Sequence, residues 1–186
     1  MSYSAFAAAG RPRHIACLDL VEPLDRGVAG ARTADESRRV NNCRRILNFG
    51  RTMGWPISHV LDHTVRRRRL RAIDGLEPLQ IEPVHYRTGV SALSNRQFRE
   101  SVEDQVKVEL VILSLSLSRS CLATALAARD RGVAVALVED VVCGSSDAAA
   151  GIDAIQTLSH SLAAPLVTIL QTNDLVDVRR GLRVVS

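Results

Sequence analysis

An aspartate, an arginine and a Ser-Cys pair, widely spaced in the chain, are the residues whose types could combine into a reactive centre. Asp19 lies near the end of the apolar run His14–Val21 (HIACLDLV), Arg87 follows Tyr86 in a short extended stretch, and Ser120-Cys121 opens an Ala-rich segment. A carboxylate beside a hydroxyl or thiol is a base beside a nucleophile, and a helix N-terminus favours the anion formed there. Arg87 stays cationic and cannot shuttle a proton, but its planar fork can hold a carboxylate bidentately. His85 and His63 fall near the same region of the sequence and are candidates for assisting a serine, which needs a stronger base than a lone carboxylate.

Each residue also has a plain structural explanation. Asp19 could cap a turn, Ser120 could be a helix N-cap, and Cys121 could be a small buried hydrophobe. Arg87 could pair with a nearby acid such as Glu82.

Positioning these groups requires parallel strands. His14–Val21, Ile57–Leu61, a short stretch at Tyr86, Val108–Leu117, Val133–Val142 and Leu166–Leu170 read as strands, most of them apolar throughout. Between them, Thr33 caps a helix running to Gly54, with Asp35 and Glu36 in its first turn. Ser94 opens a short helix over Asn95–Asp104, and Cys121–Arg131 forms a helix stopped by Gly132. Ala148–Leu162 is a further helix, a short one begins near Asn173, and residues 63–83 read as irregular. Strands alternating with helices imply a three-layer α/β/α sandwich with a mainly parallel sheet of about six strands. Sites in such sheets lie beyond the carboxyl ends of the strands, a rule that selects Asp19, Arg87 and the Ser118–Cys121 turn.

Composition narrows the function classes. The chain of 186 residues is 46% hydrophobic and 24% charged, as expected of one globular domain spanning 1–186 with a core over about 14–180. Aromatic residues are only 3%, and the net charge of +4 is too small and too scattered for a nucleic-acid surface. The cysteines Cys17, Cys43, Cys121 and Cys143 form no CxxC pair, so reduced thiols in a cytoplasmic protein are expected. No apolar run reaches the length of a membrane span. Asp62-His63 lacks a second histidine at ligand spacing, and no metal is expected. Arg66–Arg69 with Arg71 is a dense basic cluster, readable as a solvated face or as a lid attracting an acidic substrate.

The segment Leu110–Val142 (LVILSLSLSRSCLATALAARDRGVAVALVEDVV) resembles the nucleophile strand, turn and helix of the isochorismatase-like (cysteine hydrolase) superfamily. Thr124, Ala125, Ala128, Arg131, Gly132, Glu139 and Asp140 occupy the positions of its TAxxAxxRG…ED pattern. The Asp19 strand is similar to the family's general-base strand, and Tyr86–Phe98 (YRTGVSALSNRQF) to the segment carrying its lysine. The resemblance implies a Rossmann-like fold, hydrolysis of a small amide or other C–N substrate, no cofactor, and a homo-oligomer. It also implies Asp19 as base, with Ser120 where the family has its cysteine and Arg87 where it has its lysine; Cys121 is the alternative nucleophile. Relatives that split a vinyl ether without a covalent intermediate also lack cysteine there. Three readings follow: an amide hydrolase with an altered triad, a non-covalent isochorismatase-type hydrolase, and a non-catalytic homologue kept for ligand binding or assembly. The expected partner is a small molecule, anionic if Arg87 or the basic cluster receives it.

Overall fold

The computed structural model describes residues 12–24, 32–67, 70–105, 108–117, 119–142 and 167–176. The first strand, β1 (Arg13–Leu18), is buried along nearly its whole length. It is followed by the short β2 (Val21–Pro23) and then by α1 (Ala34–Thr52). Thr33 caps α1 as expected and does so reciprocally, its hydroxyl accepting from Glu36 N–H while the Glu36 carboxylate accepts from Thr33 N–H. Such a box satisfies two orphan donors and contributes about 1 kcal/mol.

Next come β3 (Ile57–Asp62), β4 (Leu70–Ala72), β5 (Val84–Arg87) and α2 (Arg96–Glu103). The remaining elements are β6 (Glu109–Leu113), α3 (Arg119–Arg129), β7 (Ala134–Val138), α4 (Glu139–Val142), β8 (Thr168–Leu170) and α5 (Thr172–Val176).

Six strands form one sheet in the order β5-β3-β1-β6-β7-β8, and every pairing is parallel. One face packs Ile15, Cys17, Ile57, Val111 and Val138 against Val40, Cys43, Ile46 and Leu47 of α1. The other packs Ala16, Leu18, Val60, Leu110, Ile112 and Leu137 against Phe98 and Val102 of α2 and Cys121, Ala125 and Ala128 of α3. Both faces are covered, which is why the strands are apolar throughout rather than alternating.

Several expectations are corrected. The run Val133–Val142 is strand only to Val138; its last turn is helical, because a buried apolar run does not by itself distinguish strand from helix. Val108–Leu117 likewise shortens to Glu109–Leu113. Asn95, not Ser94, caps α2, its side-chain oxygen accepting from Phe98 N–H at 3.0 Å. Residues 63–83 are not wholly irregular: a 3-10 turn spans His63–Arg67, and β4 pairs antiparallel with β2. Gly132 does terminate α3 in the left-handed conformation, at φ 74°. The helix expected over Ala148–Leu162, Cys143, Ser118 and Leu166 lie outside the described residues.

Candidate functional site

Parallel register brings the strand ends level. Leu18 pairs with Val60, and Asp62 pairs with Arg87, so the carboxyl ends of β1, β3 and β5 meet on one edge of the sheet. The chain runs outward from β1 to β3 and β5, then returns to place β6 on the other side of β1. That reversal opens a crevice between β1 and β6, the usual location of a ligand site in an open α/β sheet.

Asp19 stands at this reversal with φ 50°, a left-handed conformation that is uncommon outside glycine. The backbone there costs about 1 kcal/mol, and such strain concentrates at functional positions. Three contacts hold its carboxylate. Oδ1 accepts from the Asp62 backbone N–H at 2.9 Å, and Oδ2 accepts from Arg87 Nη2 at 2.8 Å. Oδ2 also faces Ser120 Oγ at 3.5 Å.

Arg87 is buried, with only 8% of its surface exposed. Its Nη1 donates to the carbonyls of Gly89 and Val90 at 2.9 and 3.3 Å and lies 3.1 Å from Asp62 Oδ2. The alternative pairing of Arg87 with Glu82 does not occur. Glu82 is buried on the other side of the sheet, where it accepts two bonds from Arg51 and lies 3.1 Å from His59. It sits in a carboxylate-stabilising setting: its pKa is lowered to about 2 against the cost of burial, by bonds from Arg51, Leu79 N–H and His59. The fork of Arg87, expected to be available to a substrate carboxylate, is taken: Nη2 by Asp19, and Nη1 by the Gly89 and Val90 carbonyls with the Asp62 carboxylate beside it.

Ser120 and Cys121 separate cleanly. Ser120 lies in the first turn of α3 and turns its hydroxyl toward Asp19. Cys121, one residue on, is fully buried among the residues beneath α3, and burial pushes its thiol up to about 12. A thiol in that setting is not a nucleophile at neutral pH. Thr124 fixes the turn: its hydroxyl donates to the Ser120 carbonyl at 2.6 Å and accepts from Ala92 N–H at 2.8 Å.

The cleft so formed has a volume of about 560 Å³, bordered by Asp19, Asp62, Arg87, the Thr88–Val90 loop, Ser114–Ser116, Arg119 and Ser120. Of the four residues singled out from the sequence, Asp19, Arg87 and Ser120 meet here and Cys121 does not line it. His85 packs against Phe98 with ring centroids 5.7 Å apart, and burial lowers its pKa. Exposed His63 lies 3.5 Å from Asp62. No bond links either ring to Ser120 among the described residues. Arg71 pairs with Glu22 and Asp74, whereas the side chains of Arg66–Arg69 lie outside those described.

Sequence reading places Asp62 only in a metal-like pair with His63, yet it is integral to the cluster. The strand-end rule that selected Asp19 would have selected it too, since it closes β3. No group of three or more His, Cys, Asp or Glu side chains suited to a metal ion occurs among the described residues, and no described helix is long and apolar enough to cross a membrane.

Residues 17–169 match the family model described as Isochorismatase domain. Solved structures of similar fold include an isochorismatase from Pseudomonas putida, 23% identical, covering 89% of this chain and 90% of that one with a TM-score of 0.67. An isochorismatase family protein from Desulfovibrio vulgaris is 18% identical over 91% of this chain and 99% of its own, with a TM-score of 0.70. An N-carbamoylsarcosine amidase from Thermoplasma acidophilum is 17% identical over 88% of this chain and 98% of its own, with a TM-score of 0.61. No curated protein matches the sequence.

Proposed function

The chain belongs to the isochorismatase family, and from that premise we propose that it hydrolyses a small amide or related C–N substrate with Asp19, Arg87 and Ser120 in place of an Asp-Lys-Cys triad. The observation that carries this reading is the convergence on Asp19 Oδ2 of Arg87 Nη2 at 2.8 Å and Ser120 Oγ at 3.5 Å. A neighbour of the same fold is named an amidase, which supports the substrate class.

In this reading Asp19 Oδ2 takes the hydroxyl proton as Ser120 Oγ bonds to the carbonyl carbon. The developing oxyanion is stabilised by backbone N–H groups of the first turn of α3, which have no intrahelical acceptors. Collapse breaks the C–N bond, and Asp19 returns its proton to the departing nitrogen. Water then cleaves the acyl-serine ester, with Asp19 again as base. Arg87 holds the carboxylate in one orientation throughout.

A second reading draws on the same geometry. A contact of 3.5 Å is long for proton transfer, and a hydroxyl needs a stronger base than a lone carboxylate. Asp19 would then act without a covalent intermediate, protonating or deprotonating the substrate directly. Turnover across a panel of small amides, ureas and vinyl ethers separates the cases. Loss in both Asp19→Ala and Ser120→Ala supports the covalent route; loss in Asp19→Ala alone supports the non-covalent one. Binding without turnover by the native protein would instead support a non-catalytic homologue.

The reading includes a single domain, a cytoplasmic homo-oligomer and no cofactor. Light scattering on the purified protein tests the assembly.

A further inference from the structure

We infer that Asp62 determines the substrate class of this cleft: by setting a second carboxylate against the Arg87 guanidinium, it favours an uncharged amide and disfavours a carboxylate. This rests on the reading of the Asp19–Ser120 cleft as the substrate site.

The argument is an inventory of the guanidinium donors. Arginine has five N–H groups, and carboxylates bind it best through two parallel ones. The Nη1 pair is directed to Gly89 O and Val90 O, with Asp62 Oδ2 at 3.1 Å. Nη2 gives one hydrogen to Asp19, and Nε is buried from solvent without a hydrogen-bond partner among the described residues. No parallel pair of exposed donors remains for an incoming carboxylate. Such a ligand would also meet two protein carboxylates already sharing one cation.

The other charges around the cleft do not reverse this. Arg119 borders it, but it is exposed at the rim, where water and salt weaken its attraction. His63 lies beside Asp62 and is exposed. Asp62 is itself held ionised, its pKa lowered first by the bond to Thr64, with help from Arg87 and His63. An amide meets no like charge here, and its N–H groups can donate to carboxylate oxygens at the cleft wall.

Benzamide and benzoate, nearly identical in shape and different in charge, test the inference by titration into the ¹⁵N-labelled protein while amide shifts of Thr88–Val90 are followed. The native protein should bind benzamide about tenfold more tightly than benzoate, and Asp62→Asn should tighten benzoate about tenfold. Asp62→Glu, which keeps the charge, should retain the native preference. Benzoate binding as tightly as benzamide in the native protein, or unchanged in a folded Asp62→Asn, overturns the inference. If Asp62→Asn does not fold, as its amide dispersion would reveal, the native preference alone decides. Failure of both probes to bind removes the cleft as a substrate site, and this inference with it. Preference for benzamide without its hydrolysis leaves the inference standing and weakens only the proposed reaction.

Discussion

Ser120 and Cys121 are adjacent on α3, yet one turns its hydroxyl to within 3.5 Å of Asp19 and the other is 0% exposed in the core. A step of one residue rotates a helical side chain by about 100°, which suffices to exchange a cleft for a core. The sulfur therefore stands beside the site without entering it.

Native-state alkylation checks this directly. Burial pushes the thiols of Cys121 and Cys43 up to about 12 and raises Cys17 as well. Peptide mapping after iodoacetamide treatment at pH 8 should find these three unmodified in the native protein and modified after denaturation. Cys121→Ala should leave turnover unchanged and lower stability by about 1 kcal/mol. Rapid native labelling at Cys121 would contradict the buried assignment.

The left-handed backbone at Asp19 makes a prediction that is independent of catalysis. Asp19→Gly and Asp19→Ala both delete the carboxylate, but only alanine must carry a Cβ at φ 50°. Urea unfolding should find the glycine variant more stable by about 1 kcal/mol, the reverse of the usual order. Equal midpoints would mean that this backbone relaxes freely.

Thr124 ties α3 to the segment before α2 by accepting from Ala92 N–H, while the same hydroxyl donates within α3 to the Ser120 carbonyl. Thr124→Val keeps the shape and leaves the buried Ala92 N–H without its acceptor, at a cost of about 1–3 kcal/mol. Thr124→Ser should recover most of that loss in the same urea titration. Turnover should fall in the valine variant because the Ser120 carbonyl loses its anchor.

His14 predicts acid sensitivity. It is buried between Ser58 and Gln105, and desolvation, with a smaller contribution from His85, lowers its pKa to about 4 from 6.5. Between those values the unfolded chain binds the proton and the folded one does not, so stability falls as pH drops from 6.5 towards 4. The loss is about 3 kcal/mol, read as falling urea midpoints, and His14→Gln should flatten the decline over that window.

Much of this architecture was legible because local physics dictates it. The Thr33…Glu36 box opens α1, Gly132 ends α3, and continuous apolar strands report a sheet covered on both faces. Local patterning was weakest where two elements share a signature. The apolar residues of Glu139–Val142 continue β7 by composition but turn into α4, and adjacent Ser94 and Asn95 are both acceptable caps until the chain direction is known.

The candidate site divides in the same way. Sequence alone determined which groups could reach the strand ends, since burial and element order bring Asp19, Arg87 and the start of α3 to one edge. Only tertiary structure decided their partners. The parallel register of β3 and β5 sets Asp62 beside Arg87, and the rotation of α3 over the sheet selects Ser120 rather than Cys121. Those choices depend on through-space distances between strands far apart in the chain, which hydrophobic periodicity along one strand does not encode.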